Sequence, residues 1–183
     1  MRKQRERRIL KPSLSNLFRT LTSSSATSAP SCSNLFTMHP LFQKASALTE
    51  TIIGGAIEVH RDKGPGLMES IYEWCLTCEL EFRKLECQNQ KSVRIEYKGR
   101  FRDEPLRFDL LVEGCVLVEA KAVQQILPIH KAQLLSYMKL LNVPVGLLIN
   151  FHELRLTSGV HRLILPGSTG EKIEQEGAEV AEN

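Results

Sequence analysis

The 183-residue chain is predicted to form an α/β domain in which helices flank a mixed β-sheet. Apolar residues recur at helical spacing over residues 43–60, which predicts an amphipathic helix. Residues 92–97 alternate between polar and apolar as a strand does, and the apolar run at 145–151 is typical of a buried strand. The predicted order is two helices, three strands, a helix and a strand, which differs from a simple βαβ series.

The first two helices are defined by apolar spacing and by a break between them. One face of the first helix carries four apolar residues: Leu48, Ile52, Ala56 and Val59. Lys-Gly-Pro-Gly at 63–66 ends this helix, because Pro and Gly both disfavour helical backbone. A second helix is predicted from about Met68 to Leu85.

Three strands follow the helices. Ser-Val-Arg-Ile-Glu-Tyr at 92–97 alternates between apolar and polar residues, and residues 98–100 turn the chain. Two further strands are predicted near 106–112 and 115–121, joined by a turn that contains Gly114. These strands supply the centre of the predicted sheet.

The last part of the domain is predicted to be a helix and two strands. Pro128 suits the first turn of a helix that reaches about Leu141. Asn142 and Pro144 end that helix, and the buried strand follows. Residues 162–166 predict a final edge strand.

Both ends of the chain differ in composition from the middle. Residues 1–38 carry seven Lys or Arg and one acid, so they are predicted to be a disordered, basic, Ser-rich extension. Residues 167–183 carry five Glu and one Lys, and they are predicted to be a disordered acidic tail. The folded domain is expected over residues 39–166. The first segment also resembles an organellar transit peptide, but an initiator at Met38 is the simpler interpretation.

Charge and cysteine content narrow the choice of compartment and partner. The formal net charge is +3, but the middle of the chain is nearly neutral, so any contact with nucleic acid has to come from a local patch. The five cysteines are odd in number, which favours free thiols and a cytoplasmic location. No apolar run approaches the ~18 residues that a membrane span needs, so no membrane partner is expected.

Three charged residues lie on two otherwise apolar strands. Glu119 and Lys121 share one face of their strand, roughly 7 Å apart, and Asp109 lies on the preceding strand. Two nearby carboxylates repel unless a cation lies between them, and oxygen ligands suit Mg²⁺ or Mn²⁺. The cluster predicts a divalent-metal site. The alternative is an exposed sheet face with a salt bridge.

The metal-site hypothesis depends on strand register. The other face of both strands is expected to be core, formed by Phe108, Leu110, Val112, Val116, Val118 and Ala120. A two-residue loop of Glu113 and Gly114 would turn Asp109 away from Glu119, because a one-residue slip reverses every side chain. A three-residue loop at 112–114, with Gly114 at positive φ, or a bulge would place both acids on one face.

Two helical stretches add polar residues. Glu69 lies near the start of the second helix, with Tyr72 three residues on and on the same face. Gln133 and Tyr137 continue a polar stripe that starts at His130 on an otherwise apolar helix. The alternatives are a capping carboxylate for Glu69 and a solvent-facing flank for the stripe.

These stretches together resemble a known family. Five segments occur in the family's order: Gly-Pro-Gly-Leu-Met-Glu-Ser-Ile-Tyr, Arg-Phe-Asp-Leu-Leu, Val-Glu-Ala-Lys-Ala, His-Lys-Ala-Gln-Leu-Leu-Ser-Tyr-Met-Lys and Val-Gly-Leu-Leu-Ile-Asn-Phe. They resemble the GxxExxY family of the PD-(D/E)xK nuclease superfamily over about residues 41–165. The name-giving motif matches Gly66, Glu69 and Tyr72. The resemblance implies a restriction-endonuclease-like core.

The resemblance also implies roles for the strand residues. In the superfamily a strand Asp and the Glu of E-x-K bind divalent metal, and the Lys assists attack on a phosphodiester. These positions match Asp109, Glu119 and Lys121, and a helical Glu that often joins them matches Glu69.

Other matches imply supporting roles. Gln133 and Tyr137 match a Q-x-x-x-Y element of recombination-helicase exonuclease domains, and they are expected to support the site or contact the substrate backbone. Tyr72 and His60 match family positions and are expected to have supporting or substrate-binding roles. Some relatives hold an iron–sulfur cluster through cysteines after this element, but no Cys follows Cys115, so no cluster is expected.

Two functions follow from the sequence. The first is a divalent-metal-dependent nuclease that hydrolyses phosphodiester bonds, with DNA as the favoured substrate and Mg²⁺ or Mn²⁺ as the cofactor. The second is a non-catalytic nucleic-acid-binding module within a larger complex, in which a protein partner supplies DNA affinity. The intact charged positions favour the enzyme, and the low basic charge favours the module.

Overall fold

The computed structural model describes residues 37–170. Their helices and strands are, in chain order, α1 (Phe42–Lys63), α2 (Glu69–Phe82), β1 (Cys87–Tyr97), β2 (Arg100–Val112), β3 (Val116–Lys121), α3 (Pro128–Leu141), β4 (Val145–Asn150), a short 3-10 helix (Leu156–Gly159) and β5 (Val160–Ile164). The predictions for the basic extension and the acidic tail fall almost entirely outside the described residues.

The described chain continues a little past the predicted end of the domain. Ser168 is buried, and its carbonyl oxygen accepts a 3.0 Å hydrogen bond from the His39 N–H. The Ser168 N–H in turn donates to the carbonyl of Leu165. The first and last described segments therefore lie side by side, and the folded domain extends at least to Ser168.

The five strands form one mixed sheet in the order β1-β2-β3-β4-β5. Strands β3 and β4 are parallel, because α3 carries the chain back from the end of one to the start of the other. The remaining neighbours in the sheet are antiparallel. The predicted mixed sheet flanked by helices is confirmed. None of the helices between residues 37 and 170 has the length and apolar character that a membrane crossing requires.

One face of the sheet packs against α1 and α2. Five strand residues of β2 and β3 on this face are Leu110, Val112, Val116, Val118 and Ala120, all buried and all predicted as core. Ile52 and Ala56 from α1 and Leu76 and Leu80 from α2 cover them. Burial of these side chains removes the apolar stripe of both helices from water and fixes α1 and α2 on this side.

The second face of the sheet is also core, which corrects the prediction that it would carry only the charged cluster. Leu111 and Leu117 pack there against Leu134 and Met138 of α3. Helix α3 covers the middle of this face, so the charges are confined to the ends of the strands. The crossover between β3 and β4 is what places a helix there.

Phe108 lies on the α3 side, with Leu111 and Leu117, rather than with Leu110 as predicted. The cause is an irregularity in the β1–β2 pairing. Gln88 is opposite Leu111, but Gln90 is opposite Arg107, so β2 has extra residues at this point. A bulge of this kind reverses the alternation of side chains, and the amino-acid pattern alone does not reveal it.

The first hairpin is longer than predicted. Strand β1 starts at Cys87 instead of near Ser92, and β2 starts at Arg100 instead of near residue 106. Most of the added residues are polar and exposed, so their strand structure comes from pairing between β1 and β2 and not from burial. Smaller differences are that α2 ends at Phe82 and that β5 starts at Val160.

The β2–β3 loop satisfies the register requirement. Val112 pairs with Val116, so three residues, 113–115, separate the paired strands, one position later than predicted. Glu113 and Gly114 both have positive φ, of 52° and 64°, and the Cys115 N–H donates to the Val112 carbonyl. Cys115 is then the extra residue. This register sets Asp109 opposite Glu119.

Gly146 allows α3 to lie close to β4. An ideal Cβ at this position would lie 2.6 Å from Met138 Sδ and 3.1 Å from Leu134 Cγ, and both side chains are fully buried. Gly146→Ala should therefore lower the free energy of unfolding by about 1–3 kcal/mol through overpacking. Urea unfolding followed by circular dichroism measures the change.

Gly54→Ala is the matched control. A Cβ there meets only the end of the flexible Arg83 side chain, at 3.3 Å. Alanine is the better residue in a helix interior by roughly 0.8–1 kcal/mol. The control should be neutral or stabilising. Equal effects of the two substitutions would contradict the close approach at Gly146.

Candidate active site

The candidate site lies where β2 and β3 stop pairing. Their paired residues run from Val112–Val116 to Leu110–Val118, and the next residues along the two strands are Asp109 and Glu119. Oδ2 of Asp109 accepts a 2.8 Å hydrogen bond from the Ala120 N–H. A carboxylate thus replaces the backbone ladder at this point, and it holds the ends of the two strands together.

An open cavity of about 580 Å³ adjoins these residues. Helices α2 and α3 and strands β1 to β3 form its wall. The lining residues are Glu69, Glu73, Asn89, Gln90, Arg107, Phe108, Asp109, Glu119, Lys121, Gln133 and Tyr137. Six of the eight residues predicted for the site line this cavity, and Tyr72 and His60 do not.

Glu119 is buried, with 4% of its surface exposed, and its Oε2 atom has no hydrogen-bond partner. Desolvation, followed by the charge of Asp109, raises the pKa of Glu119 to about 8. Burial also raises the pKa of Asp109, although the Ala120 hydrogen bond and the charge of Lys121 oppose this change. The alternative of an exposed sheet face does not fit a carboxylate buried to this extent.

Lys121 is largely buried and ion-paired. Its side chain is 13% exposed, and Nζ donates to Glu69 Oε1 at 2.9 Å and to the Ala120 carbonyl at 3.1 Å. Burial disfavours the ammonium form, but the hydrogen bond to Glu69 and the charges of Glu119 and Asp109 outweigh burial, so the pKa of Lys121 is raised. Lys121 therefore carries its proton in this arrangement.

Glu69 is the first residue of α2, where the helix dipole favours a carboxylate. Its two oxygens accept from Lys121 Nζ and, at 3.4 Å, from the Ala122 N–H. Glu69 thus contacts Lys121 directly and faces Asp109 and Glu119 across it. Its predicted role as a third metal ligand stays a prediction.

Glu73 is a fourth acid at the cavity, and sequence reasoning missed it. It lies one turn after Glu69 on α2. Burial raises the pKa of Glu73, and the charges of Asp109 and Glu69 raise it further. Its spacing of four residues from Glu69 was an available signal, because residues four apart share a helix face.

Helix α3 brings Gln133 and Tyr137 to the cavity from the other side of the sheet. His130, at the start of the same polar stripe, instead accepts a 3.2 Å hydrogen bond from the Leu127 N–H and caps the helix. The stripe therefore divides into a cap and two residues that line the site.

Tyr72 supports the site without lining it. Its ring is fully buried and stacks on Phe151, with 4.5 Å between ring centres. Its hydroxyl donates to the Gly64 carbonyl at 2.6 Å and accepts from the Leu67 N–H at 3.0 Å. These bonds fix the loop that leads into α2, and so they fix where Glu69 begins the helix.

His60 also has a structural position. Its Nε2 donates to the Glu153 carbonyl at 2.8 Å, which ties the end of α1 to the loop after β4. At the end of β4, Asn150 accepts a hydrogen bond from the Val123 N–H and donates one to the Val123 carbonyl. His60 therefore helps to hold the loops beside the site, and its contact indicates a structural role.

The donor set fits a divalent cation. Asp109 and Glu119 form a close pair of oxygen donors in a poorly solvated position, and one buried oxygen of Glu119 lacks any partner. A cation would relieve their repulsion and satisfy that oxygen. Within residues 37–170, however, no three His, Cys, Asp or Glu side chains gather closely enough to hold a metal ion. The chain therefore offers two acidic ligands, with further ligands to come from backbone or water.

The strand acids and the lysine beside them lie within a segment that matches a known protein family. A model of the PD-(D/E)XK nuclease superfamily matches residues 46–163, more than half of the chain. The chain belongs to this superfamily. Its five-stranded mixed sheet with flanking helices is the restriction-endonuclease-like fold that the resemblance implied. Comparison with curated proteins found no match, and comparison with solved structures found none either.

The acid pair predicts an unusual pH dependence of stability when metal is removed. The folded-state pKa of Glu119, about 8, is above its ordinary value of 4.5, so the folded state keeps a proton that the unfolded state releases. Stability from this group is complete below pH 4.5 and is lost as the pH rises towards 8. Urea unfolding in a chelator should show this loss.

Glu119→Gln should flatten the dependence, because glutamine keeps the shape but cannot ionise. Glu113→Gln is the control. The carboxylate of Glu113 is stabilised by Glu86 and Lys44, which lowers its pKa, so its removal acts with the opposite sign at lower pH. If wild type and Glu119→Gln lose stability in parallel between pH 5 and 8, roughly the interval separating the two pKa values, the buried acid pair is not responsible.

Proposed function

We propose that the protein is a divalent-metal-dependent nuclease that hydrolyses phosphodiester bonds, with DNA as the favoured substrate. The observation that carries the proposal is the buried Asp109–Glu119 pair beside Lys121, in a cavity open to solvent. Membership of a nuclease superfamily supports it. Within that superfamily we assign the chain to the GxxExxY family, because Gly66, Glu69 and Tyr72 match the motif.

Asp109 and Glu119 would hold the metal, together with the carbonyl of Ala120, and Glu69 would join directly or through water. Nuclease superfamilies of this kind generally use divalent metals, and the oxygen donors favour Mg²⁺ or Mn²⁺. When bound, such an ion supplies Lewis-acid stabilisation of charge that develops on the phosphate. Asp109 is held for this task by its hydrogen bond from Ala120.

Lys121 acts on the water and the phosphate. Its raised pKa keeps Nζ protonated, so it serves as a hydrogen-bond donor and a positive charge instead of a general base. In the reaction a water oxygen bonds to phosphorus, the bond to the leaving oxygen breaks, and the water proton passes to solvent or to the leaving group. Lys121 orients the water and stabilises the phosphate oxygens, and Glu69 holds its amine in place.

Gln133 and Tyr137 would contact the substrate backbone. Both belong to α3, on the opposite side of the cavity from Glu69. Their neutral polar groups can donate to phosphate or sugar oxygens without adding charge. Tyr72 and His60 would act only through the loops that they hold. The expected cytoplasmic location remains a proposal.

The second candidate is a non-catalytic nucleic-acid-binding module with a protein partner. The observation that favours it is the engagement of Lys121 by Glu69, which leaves the ammonium group less available to a phosphate. The enzyme hypothesis requires cleavage that depends on Lys121, whereas the module requires binding alone. Incubation with labelled single- and double-stranded DNA and RNA, in Mg²⁺ or Mn²⁺, separates the two.

Metal binding should stabilise the fold, because a cation held by Asp109 and Glu119 binds the folded chain and replaces the proton that the acid pair otherwise keeps. A tenfold excess of free metal over its Kd adds about 1.4 kcal/mol by mass action. We expect millimolar Mg²⁺ or Mn²⁺ to raise the melting temperature of wild type. Asp109→Asn should respond much less, since it loses a charged ligand at nearly constant shape. Differential scanning calorimetry measures both shifts.

Asp62→Asn is the matched control for this prediction. Asp62 is exposed on α1 and paired with Lys63, away from the cavity. Its variant should keep the wild-type response to metal. A full metal response in Asp109→Asn would show that the ion binds elsewhere.

Lys121→Met should lower the metal-dependent cleavage rate by about 10²–10³-fold, the usual effect of removing one group that stabilises transition-state charge. Methionine preserves the length and apolar stem of the side chain. The rate constant under saturating enzyme, measured on a labelled oligonucleotide, reports the chemical step. The variant should still bind metal, which the melting shift checks.

Lys139→Met is the control, because Lys139 is an exposed lysine of α3 that does not line the cavity. It should cleave at the wild-type rate. Equal rates in wild type and Lys121→Met would contradict the assigned role, and absence of cleavage in all three proteins would favour the binding module.

A further inference from the structure

The β1–β2 hairpin extends beyond its neighbours and is basic. Strand β3 pairs with β2 only at residues 110–112, whereas β1 and β2 pair with each other out to Tyr97 and Arg100. Residues 89–107 hold six Lys or Arg and three acids, and the rest of the described chain holds ten Lys or Arg and twelve acids. This hairpin is therefore a local basic patch, which the average composition of the chain hides.

Two aromatic rings near the hairpin tip are largely in solvent. Tyr97 is 68% exposed and Phe101 is 56% exposed. The guanidinium carbon of Arg94 lies 4.6 Å from the centre of the Phe101 ring, and Lys98 Nζ lies 5.3 Å from that of Tyr97. Exposed rings next to cations form the surface on which unpaired bases stack while phosphates are neutralised.

One face of the hairpin leads to the candidate active site. Gln90 is paired with Arg107, and both line the cavity. Alternation puts Arg94 and Phe101 on the same face as this pair, whereas Tyr97 lies on the opposite face. Phe101 is six residues from Arg107, which is ~20 Å at ~3.3 Å per residue. A strand of a few nucleotides could thus contact the ring and the cavity together.

The cavity itself is not attractive to phosphate. Four acids line it, against two cations: Glu69, Glu73, Asp109 and Glu119, with Arg107 and Lys121. Even with a divalent ion bound, this lining supplies little net positive charge. Attraction for a polyanion has to come from an adjoining surface, and the hairpin is adjacent and basic.

We propose that the hairpin binds a single strand of nucleic acid and leads it to the cavity. The part of this inference that concerns the cavity rests on the proposed nuclease function. Bases stack on Phe101, and the neighbouring Arg and Lys side chains bind the phosphates. Bases in a duplex are already stacked on each other and hide their faces, so the Phe101 ring favours unpaired nucleotides. The preferred substrate is then a single strand or a duplex with an unpaired end.

Fluorescence anisotropy in a chelator tests binding without cleavage. The probes are a labelled single-stranded DNA, the same sequence as RNA, and the corresponding DNA duplex, each at low and physiological salt. We expect tighter binding of single strands than of duplex. Phe101→Leu should weaken single-strand binding by about tenfold, and Arg94→Gln should weaken it and reduce its salt dependence. Tyr97→Leu, on the opposite face of the hairpin, should have a much smaller effect.

Trp74→Leu and Phe82→Leu are the matched controls. Both rings are exposed on α2, 67% and 81% respectively, and neither lines the active-site cavity. They should bind all probes as wild type does. Melting temperatures of all variants should equal that of wild type, because each altered side chain is at the surface.

Duplex binding as tight as single-strand binding would overturn the inference, as would no measurable affinity at low salt. Unchanged affinity in Phe101→Leu and Arg94→Gln would also overturn it. The RNA probe tells whether the strand must be DNA. The binding measurement in a chelator separates this inference from the proposed function, because it requires no cleavage. If the protein binds single strands through the hairpin but cleaves none with any metal, the proposed nuclease function is wrong and the hairpin inference stands. If Phe101→Leu and Arg94→Gln keep the wild-type cleavage rate at limiting substrate, the hairpin inference is wrong and the nuclease function stands.

Discussion

The site depends on the hydrogen bond from the Ala120 N–H to the Asp109 carboxylate, at the point where β2 and β3 stop pairing. This bond closes the open end of the ladder with a side chain in place of a backbone carbonyl. It also holds Asp109 against Glu119, in a position where water does not reach Glu119 Oε2. Two carboxylates so placed are unfavourable for the folded chain, and the surrounding core has to supply the stability that keeps them together.

That core is arranged so that both faces of the strands are anchored just before the acids. Leu110 and Val118 are held by α1 and α2, and Leu111 and Leu117 are held by α3. The turn between β2 and β3 fixes their register, and Glu113 in this turn accepts hydrogen bonds from the Glu86 N–H and Lys44 Nζ. These contacts offset the strain of positive φ at a residue other than glycine. A rigid turn and two packed faces leave the acids no alternative register.

The sequence predicted the fold class well, because apolar periodicity reports which surfaces are buried. It predicted six residues that line the cavity, three of them as charges in apolar strands and three as polar residues on helices that match family motifs. It did not predict the β2 bulge at Phe108, the polar extension of the first hairpin, or the place of Glu73. A bulge and a strand held by pairing have no periodic signal. Tyr72 shows the same limit in another way, because the pattern marked the residue but not its role, which depends on the loop that its hydroxyl binds.

Acidic and basic residues are concentrated in different parts of the domain. Acids surround the cavity, where a cation is the expected ligand, and basic residues concentrate on the adjoining hairpin. If the basic residues lined the cavity instead, they would pair with Asp109 and Glu119, as Lys121 already pairs with Glu69. Such pairs would compete with a bound metal ion. Separation along β2 lets one strand present Asp109 at its inner end and cationic and aromatic residues at its outer end. The length of β2, from Arg100 to Val112, thus joins the proposed strand-binding surface to the proposed site of hydrolysis.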